Sequence, residues 1–127
     1  MSARTNPYKK IQMEDYMNPI ITKLAGVTHG GAQVNIKKLG GPGIGGYDLV
    51  REPANSHDPN AIRVAYLGDI FMGYIPAPVA ATLAPLMDQG QSFIAEFVQI
   101  NKAPTHDTVG MTVKIVEFNP ELAPLAG

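Results

Sequence analysis

The sequence predicts a mainly β domain, a small antiparallel barrel or sandwich of about six or seven short strands with one α-helix. Three observations carry this expectation. Short apolar runs recur between Gly- and Pro-rich turns, some of them alternating with a two-residue period. Only one segment, beginning near Val79, has helical spacing. No strand–helix–strand alternation, the mark of a parallel sheet, runs through the chain. At 127 residues, with 13 glycines and 11 prolines, the chain has the size of one turn-rich domain that needs no disulfide or metal to staple it.

The elements follow in order. Residues 1–18 mix polar residues with Tyr8, Ile11, Met13, Tyr16 and Met17 without a sustained period, and are assigned to an N-terminal arm. The domain is expected over 19–118 and an irregular tail over 119–127. Residues 20–27 read as a strand, and 33–37 alternate as a second one, with Gly30-Gly31 as the turn between them. The run from Gly40 to Gly46, five glycines with Pro42 and Ile44, is expected to be a mobile loop. Residues 47–52 form a strand stopped by Pro53. Residues 61–67 and 69–75, parted by Gly68, form a tight hairpin. The helix places Val79, Leu83, Leu86 and Met87 on one face. Pro78 suits its first turn, Pro85 should kink or divide it, and Gly90 supplies the stop. Strands over 92–100 and 108–118, joined through Pro104, complete the set.

Composition and spacing argue against catalysis. The chain has no cysteine, which removes thiol nucleophiles and zinc knuckles and fits a reducing compartment. His29, His57 and His106 are dispersed, without the i, i+4 spacing that sets two ligands on one helix face, so no metal site is expected. The glycine cluster lacks the Gly-Lys-Ser/Thr of a phosphate loop and leads into a strand, not a helix. Ser2, Ser56 and Ser92 sit in no nucleophile elbow. The expectation is a non-catalytic protein without a cofactor. The first residues lack an apolar leader core, and no run approaches the ~18 apolar residues of a membrane span, so a cytoplasmic protein with no membrane partner is expected.

The net charge is −1, and residues 20–118 hold seven Lys and Arg against eight Asp and Glu. A protein that tracks along phosphates usually carries a basic excess, so any nucleic-acid contact should be local, as in a pocket for one end. Tyr47, Tyr66, Phe71, Tyr74, Phe93, Phe97 and Phe118 are first of all core candidates. Tyr47 and Tyr74 are the two expected to offer exposed faces for stacking.

The most informative stretch runs Leu49-Val50-Arg51-Glu52-Pro53-Ala54-Asn55-Ser56-His57-Asp58-Pro59-Asn60-Ala61-Ile62-Arg63-Val64, followed by Met72-Gly73-Tyr74-Ile75-Pro76. Physically it is a turn builder: Pro53 and Pro59 fix φ, and Asn55, Asp58 and Asn60 are able to bond nearby backbone amides. It also closely resembles the signature of the HIRAN family, in which Arg-Glu-Pro leads into Asn-x-x-Asp-Pro-Asn-Ala-Ile-x-Val and then Gly-Tyr-Ile-Pro. The resemblance covers roughly residues 20–118.

The resemblance implies a modified oligonucleotide-binding (OB-like) barrel that holds the 3′ end of single-stranded DNA in the service of DNA repair or processing. Asn55 and Asp58 match the turn residues that face the terminal nucleotide in DNA-binding members. Two departures are visible. His57 stands where those members carry an aromatic residue, and Thr22-Lys23-Leu24-Ala25 stands where they carry Arg and Tyr ahead of the family's glycine. The expected pocket is therefore edged by Lys23, Arg51, Asn55, His57, Asp58 and Tyr74. The alternative is a structural or assembly protein, of the kind phages and mobile elements encode, that reuses the barrel to hold a protein partner or self-associates through the arm.

Overall fold

The computed structural model describes residues 18–118. The expected arm and tail lie largely outside them. Six strands and two helices follow in the order β1 (Ile20–Lys23), α1 (Ala32–Leu39), β2 (Tyr47–Arg51), β3 (Ile62–Tyr66), β4 (Ile70–Tyr74), α2 (Ala77–Asp88), β5 (Ser92–Lys102) and β6 (Val109–Phe118). The strands form one antiparallel sheet in the order β1-β6-β5-β2-β3-β4. The mainly β, OB-like expectation is met. Among the described residues no helix is long and apolar enough to cross a membrane.

The first strand pairs with the last, Ile20 opposite Ile115, so the sheet closes over a long sequence separation. It does not become a continuous barrel. Its edges, β1 and β4, meet at one rung: just past β1, Ala25 donates to the Tyr74 carbonyl at 2.7 Å and accepts from the Tyr74 N–H at 2.8 Å. Gly73 makes that approach possible. Its φ is +148°, and a Cβ there would stand 3.0 Å from the Ala25 carbonyl oxygen and 3.3 Å from the Leu24 side chain.

The core is drawn from every layer. Ile36 of α1, Tyr47 of β2, Ile62 and Val64 of β3, Met72 of β4, Leu83 of α2, and Met111, Val113 and Ile115 of β6 are all essentially inaccessible. Burying each such side chain contributes about 1.5–3 kcal/mol before the cost of ordering is counted. The hairpin over β3 and β4 turns at Leu67-Gly68, both with positive φ, as a two-residue turn matched to strand twist requires.

Three sequence expectations need correction. Residues 33–37 belong to helix α1, not to a strand, which makes two helices. Ala32 and Ile36 share its buried side at i, i+4, whereas Val34 is 56% exposed. The Gln33 side chain ties α1 to β6: its Nε2 donates to the Val109 carbonyl and its Oε1 accepts from the Val109 N–H, at 2.8 and 2.9 Å. Tyr47 offers no exposed face; it is fully buried, and its hydroxyl donates to the Leu39 carbonyl at 2.6 Å. Pro85 does not divide α2, which runs on to Asp88. Placed in the last turn, it removes one N–H and is exposed to solvent.

Candidate functional site

Residues 52–61 leave β2 and return into β3 as a loop held by its own side chains. The Glu52 N–H donates to the Ala61 carbonyl at 2.9 Å, closing the neck of the loop. Within it, Asn55 Oδ1 accepts from the N–H groups of His57 and Asp58, at 2.8 and 3.2 Å. Asp58 Oδ1 accepts from the Asn60 N–H at 2.8 Å. These are the side-chain-to-backbone turns that Asn and Asp favour, and they fix the loop before any ligand arrives.

Asn55 and Asp58 then differ. Asn55 also donates through Nδ2 to Glu52 Oε1 at 3.0 Å, so it is engaged at both ends of its amide. Among the described residues, the Asp58 carboxylate is hydrogen-bonded through Oδ1 only, and its second oxygen has no hydrogen-bond partner. Asn55, His57 and Asp58 line a cleft of about 280 Å³ together with Tyr74, with Ala61 and Ile75 as apolar surface. The cleft reaches Ala77, the first residue of α2, a helix start with no side-chain cap.

Glu52 organises this site, although sequence reasoning passed over it. Besides Asn55, its Oε1 accepts the Tyr74 hydroxyl at 2.9 Å, and its Oε2 lies 3.5 Å from Arg63 Nε. The signal was present in the Arg51-Glu52-Pro53 triplet of the family signature, in which Glu52 received no role of its own. Burial, reinforced by the hydrogen bond to Glu52, pushes the Tyr74 hydroxyl pKa above its ordinary value, so Tyr74 stays neutral. Its ring packs edge-on against Phe71, with centroids 5.3 Å apart.

Two expected pocket residues lie elsewhere. Arg51 forms a forked ion pair with Asp88 at the end of α2, Nε to Oδ1 at 2.9 Å and a terminal nitrogen to Oδ2 at 3.1 Å. It also donates to the Ala61 carbonyl at 3.0 Å. Hydrogen bonding to Arg51 holds the Asp88 carboxyl below the usual carboxylate range. Arg51 thus braces the neck of the loop and does not line the cleft. Lys23 is exposed at the end of β1, two residues before Ala25, and is also outside the cleft lining. The structure brings together Asn55, His57, Asp58 and Tyr74.

Comparison with known proteins places this loop in a family. The HIRAN domain profile matches residues 23–117, so the chain belongs to the HIRAN domain family. It is 46% identical over 44 residues to a Fanconi-associated nuclease 1 homolog of Oryza sativa subsp. japonica, a match spanning 32% of this chain and 5% of that protein. In fold it is similar to a crystal structure of a protein from Lactobacillus plantarum, with a TM-score of 0.63 and 22% identity over 80% of this chain and 92% of the other. It is also similar to the HIRAN domain of human HLTF, with a TM-score of 0.57 and 17% identity over 80% and 76% of the two chains.

Proposed function

We propose that this protein is a non-catalytic module that holds the 3′ end of single-stranded DNA in the cleft between the Asn55–Asp58 loop and Tyr74, as an accessory to DNA repair or processing. The observation that carries the proposal is the state of Asp58. One oxygen is spent on the loop while the other has no hydrogen-bond partner among the described residues, and Asp58 lines a cleft whose lining also includes Tyr74 and apolar residues. A carboxylate attracts a terminal hydroxyl and repels a terminal phosphate. The ring and the apolar surface suit a base or sugar face. Membership of the HIRAN family and the name of the nuclease homolog support a role near DNA.

The test is a binding assay on purified protein with single strands of one sequence ending in 3′-OH or 3′-phosphate. The hydroxyl strand should bind more tightly by about 1–3 kcal/mol, the value of one charged hydrogen bond lost or opposed. Equal binding of both ends, or no binding at micromolar concentrations, defeats the proposal. That outcome promotes the assembly reading, which rests on the near-neutral charge and on Lys23 and Arg51 lying outside the cleft.

A further inference from the structure

A second cleft, of about 600 Å³, opens between the C-terminal end of α1 and the loop joining β5 to β6. Lys37 lines one side; Lys102, Pro104, Thr105, His106 and Asp107 line the other. A smaller hollow of about 200 Å³ is bordered by the same two lysines and adds Ile36 and Ile100. Lys37 and Lys102 are 65 positions apart and meet here through packing. The Gln33 amide fastens α1 to Val109 at the start of β6. Gly40 lets the end of α1 lie against β5, since a Cβ there would stand 2.6 Å from the Ile36 carbonyl oxygen and 2.8 Å from Ile100 Cδ1.

The charges are not evenly spent. Of the seven Lys and Arg residues over 20–118, Arg51, Arg63 and Lys114 are ion-paired with Asp88, Glu52 and Glu96. Among the described residues the four without an acidic partner are Lys23, Lys37, Lys38 and Lys102. Three of these four lie in this cleft or next to it in sequence. Lys37 and Lys38 also suit the negative pole of α1. That does not account for Lys102 and His106, which come from another element.

We infer that this cleft is a second nucleic-acid contact, one that takes the phosphate backbone and is indifferent to strand ends. The chemistry is that of point charges, with Thr105 and His106 as hydrogen-bonding groups and no Phe, Tyr or Trp ring as a stacking platform. It therefore reads phosphates and not bases. Asp107, the one acid lining it, limits its affinity. The inference rests on the proposal that nucleic acid is the ligand, but it concerns surface that the end-binding cleft does not use.

The probe is a closed circular single-stranded oligonucleotide, which has no end to offer the Asp58 cleft. The intact protein should bind it with a salt-dependent affinity. The double substitution Lys37→Ala, Lys102→Ala alters two exposed side chains and should leave the thermal midpoint unchanged. It should lower the slope of log affinity against log salt by about 1.4, for two contacts at ~0.7 each, and weaken binding about 25-fold at 0.1 M salt. Lys37→Arg with Lys102→Arg should restore binding, and Asp107→Asn should strengthen it. A circle that the intact protein fails to bind, or binds as well after the double alanine substitution, overturns the inference. Either result leaves the 3′-hydroxyl preference of linear strands to be judged separately.

Discussion

The Tyr74 hydroxyl donates to Glu52 Oε1 at 2.9 Å, which ties the last residue of β4 to the first residue after β2. Because the same oxygen accepts from Asn55 and the other faces Arg63, one carboxylate holds both Asn55 and Tyr74, two residues that line the cleft.

Glu52→Ala should therefore cost more than any one of its partners. Removing it strips an acceptor from Tyr74 and Asn55 and leaves Arg63 Nε, already buried, without its nearest carboxylate. The expected loss is about 1.5–3 kcal/mol, against about 0.5–1.5 kcal/mol for Tyr74→Phe, both read from urea midpoints. A Glu52 variant no less stable than the Tyr74 variant would show that Glu52 is not the centre of the network.

Asp58→Asn separates the two duties of Asp58. An asparagine keeps an oxygen able to accept from the Asn60 N–H, so the loop and the denaturation midpoint should be preserved. The negative charge is gone, so discrimination against a 3′-phosphate should shrink by about tenfold or more in binding ratio. Retained discrimination would assign the end preference to another group.

Gly73→Ala should destabilise the domain by about 1–3 kcal/mol, measured as a lowered thermal midpoint. The φ of +148° disfavours any side chain, and backbone, the Ala25 carbonyl, stands 3.0 Å away and yields poorly. The same substitution at Gly41, which faces open space, serves as the control and should have a much smaller effect.

Stability should fall at alkaline pH through Tyr47 and Tyr74. Both hydroxyls are raised in the folded state above the ordinary value of 10.0, mainly by burial. The unfolded chain thus loses these protons first, and stability fully present below pH 10.0 declines as pH rises above it. Tyr47→Phe should flatten part of that decline. At neutral pH it should cost about 1 kcal/mol, because the Leu39 carbonyl loses its donor. An unchanged alkaline slope in the variant would count against Tyr47 as a source.

The strands and α2 were legible because each carries its own local pattern: alternation bounded by turn residues, or apolar residues at i, i+4, i+7 and i+8. The segment 33–37 was not. Val34 and Ile36 alternate with polar residues over too short a window to separate strand from helix, and the deciding spacing, Ala32 to Ile36 to Leu39, begins one residue earlier. The misreading of Tyr47 follows from it. A tyrosine is fully buried only where its hydroxyl finds a partner, and that partner is a carbonyl at the end of α1. The cleft was half legible. The loop residues Asn55, His57 and Asp58 are contiguous, and Tyr74 stood in a recognisable motif. The diversion of Arg51 to Asp88 depends on where α2 ends in space, which no local pattern records.

Tyr74 does two things with different atoms: its ring lines the cleft, and its peptide group forms the single rung to Ala25. The amide protons of Ala25 and Tyr74 are held by each other's carbonyls alone, so the seam can part while the six-stranded ladder stays intact. Their exchange with solvent deuterium therefore measures a local opening and not global unfolding. An occupant of the cleft that steadies the Tyr74 ring must slow that exchange by the free energy it contributes, which gives the domain a built-in gauge of occupancy.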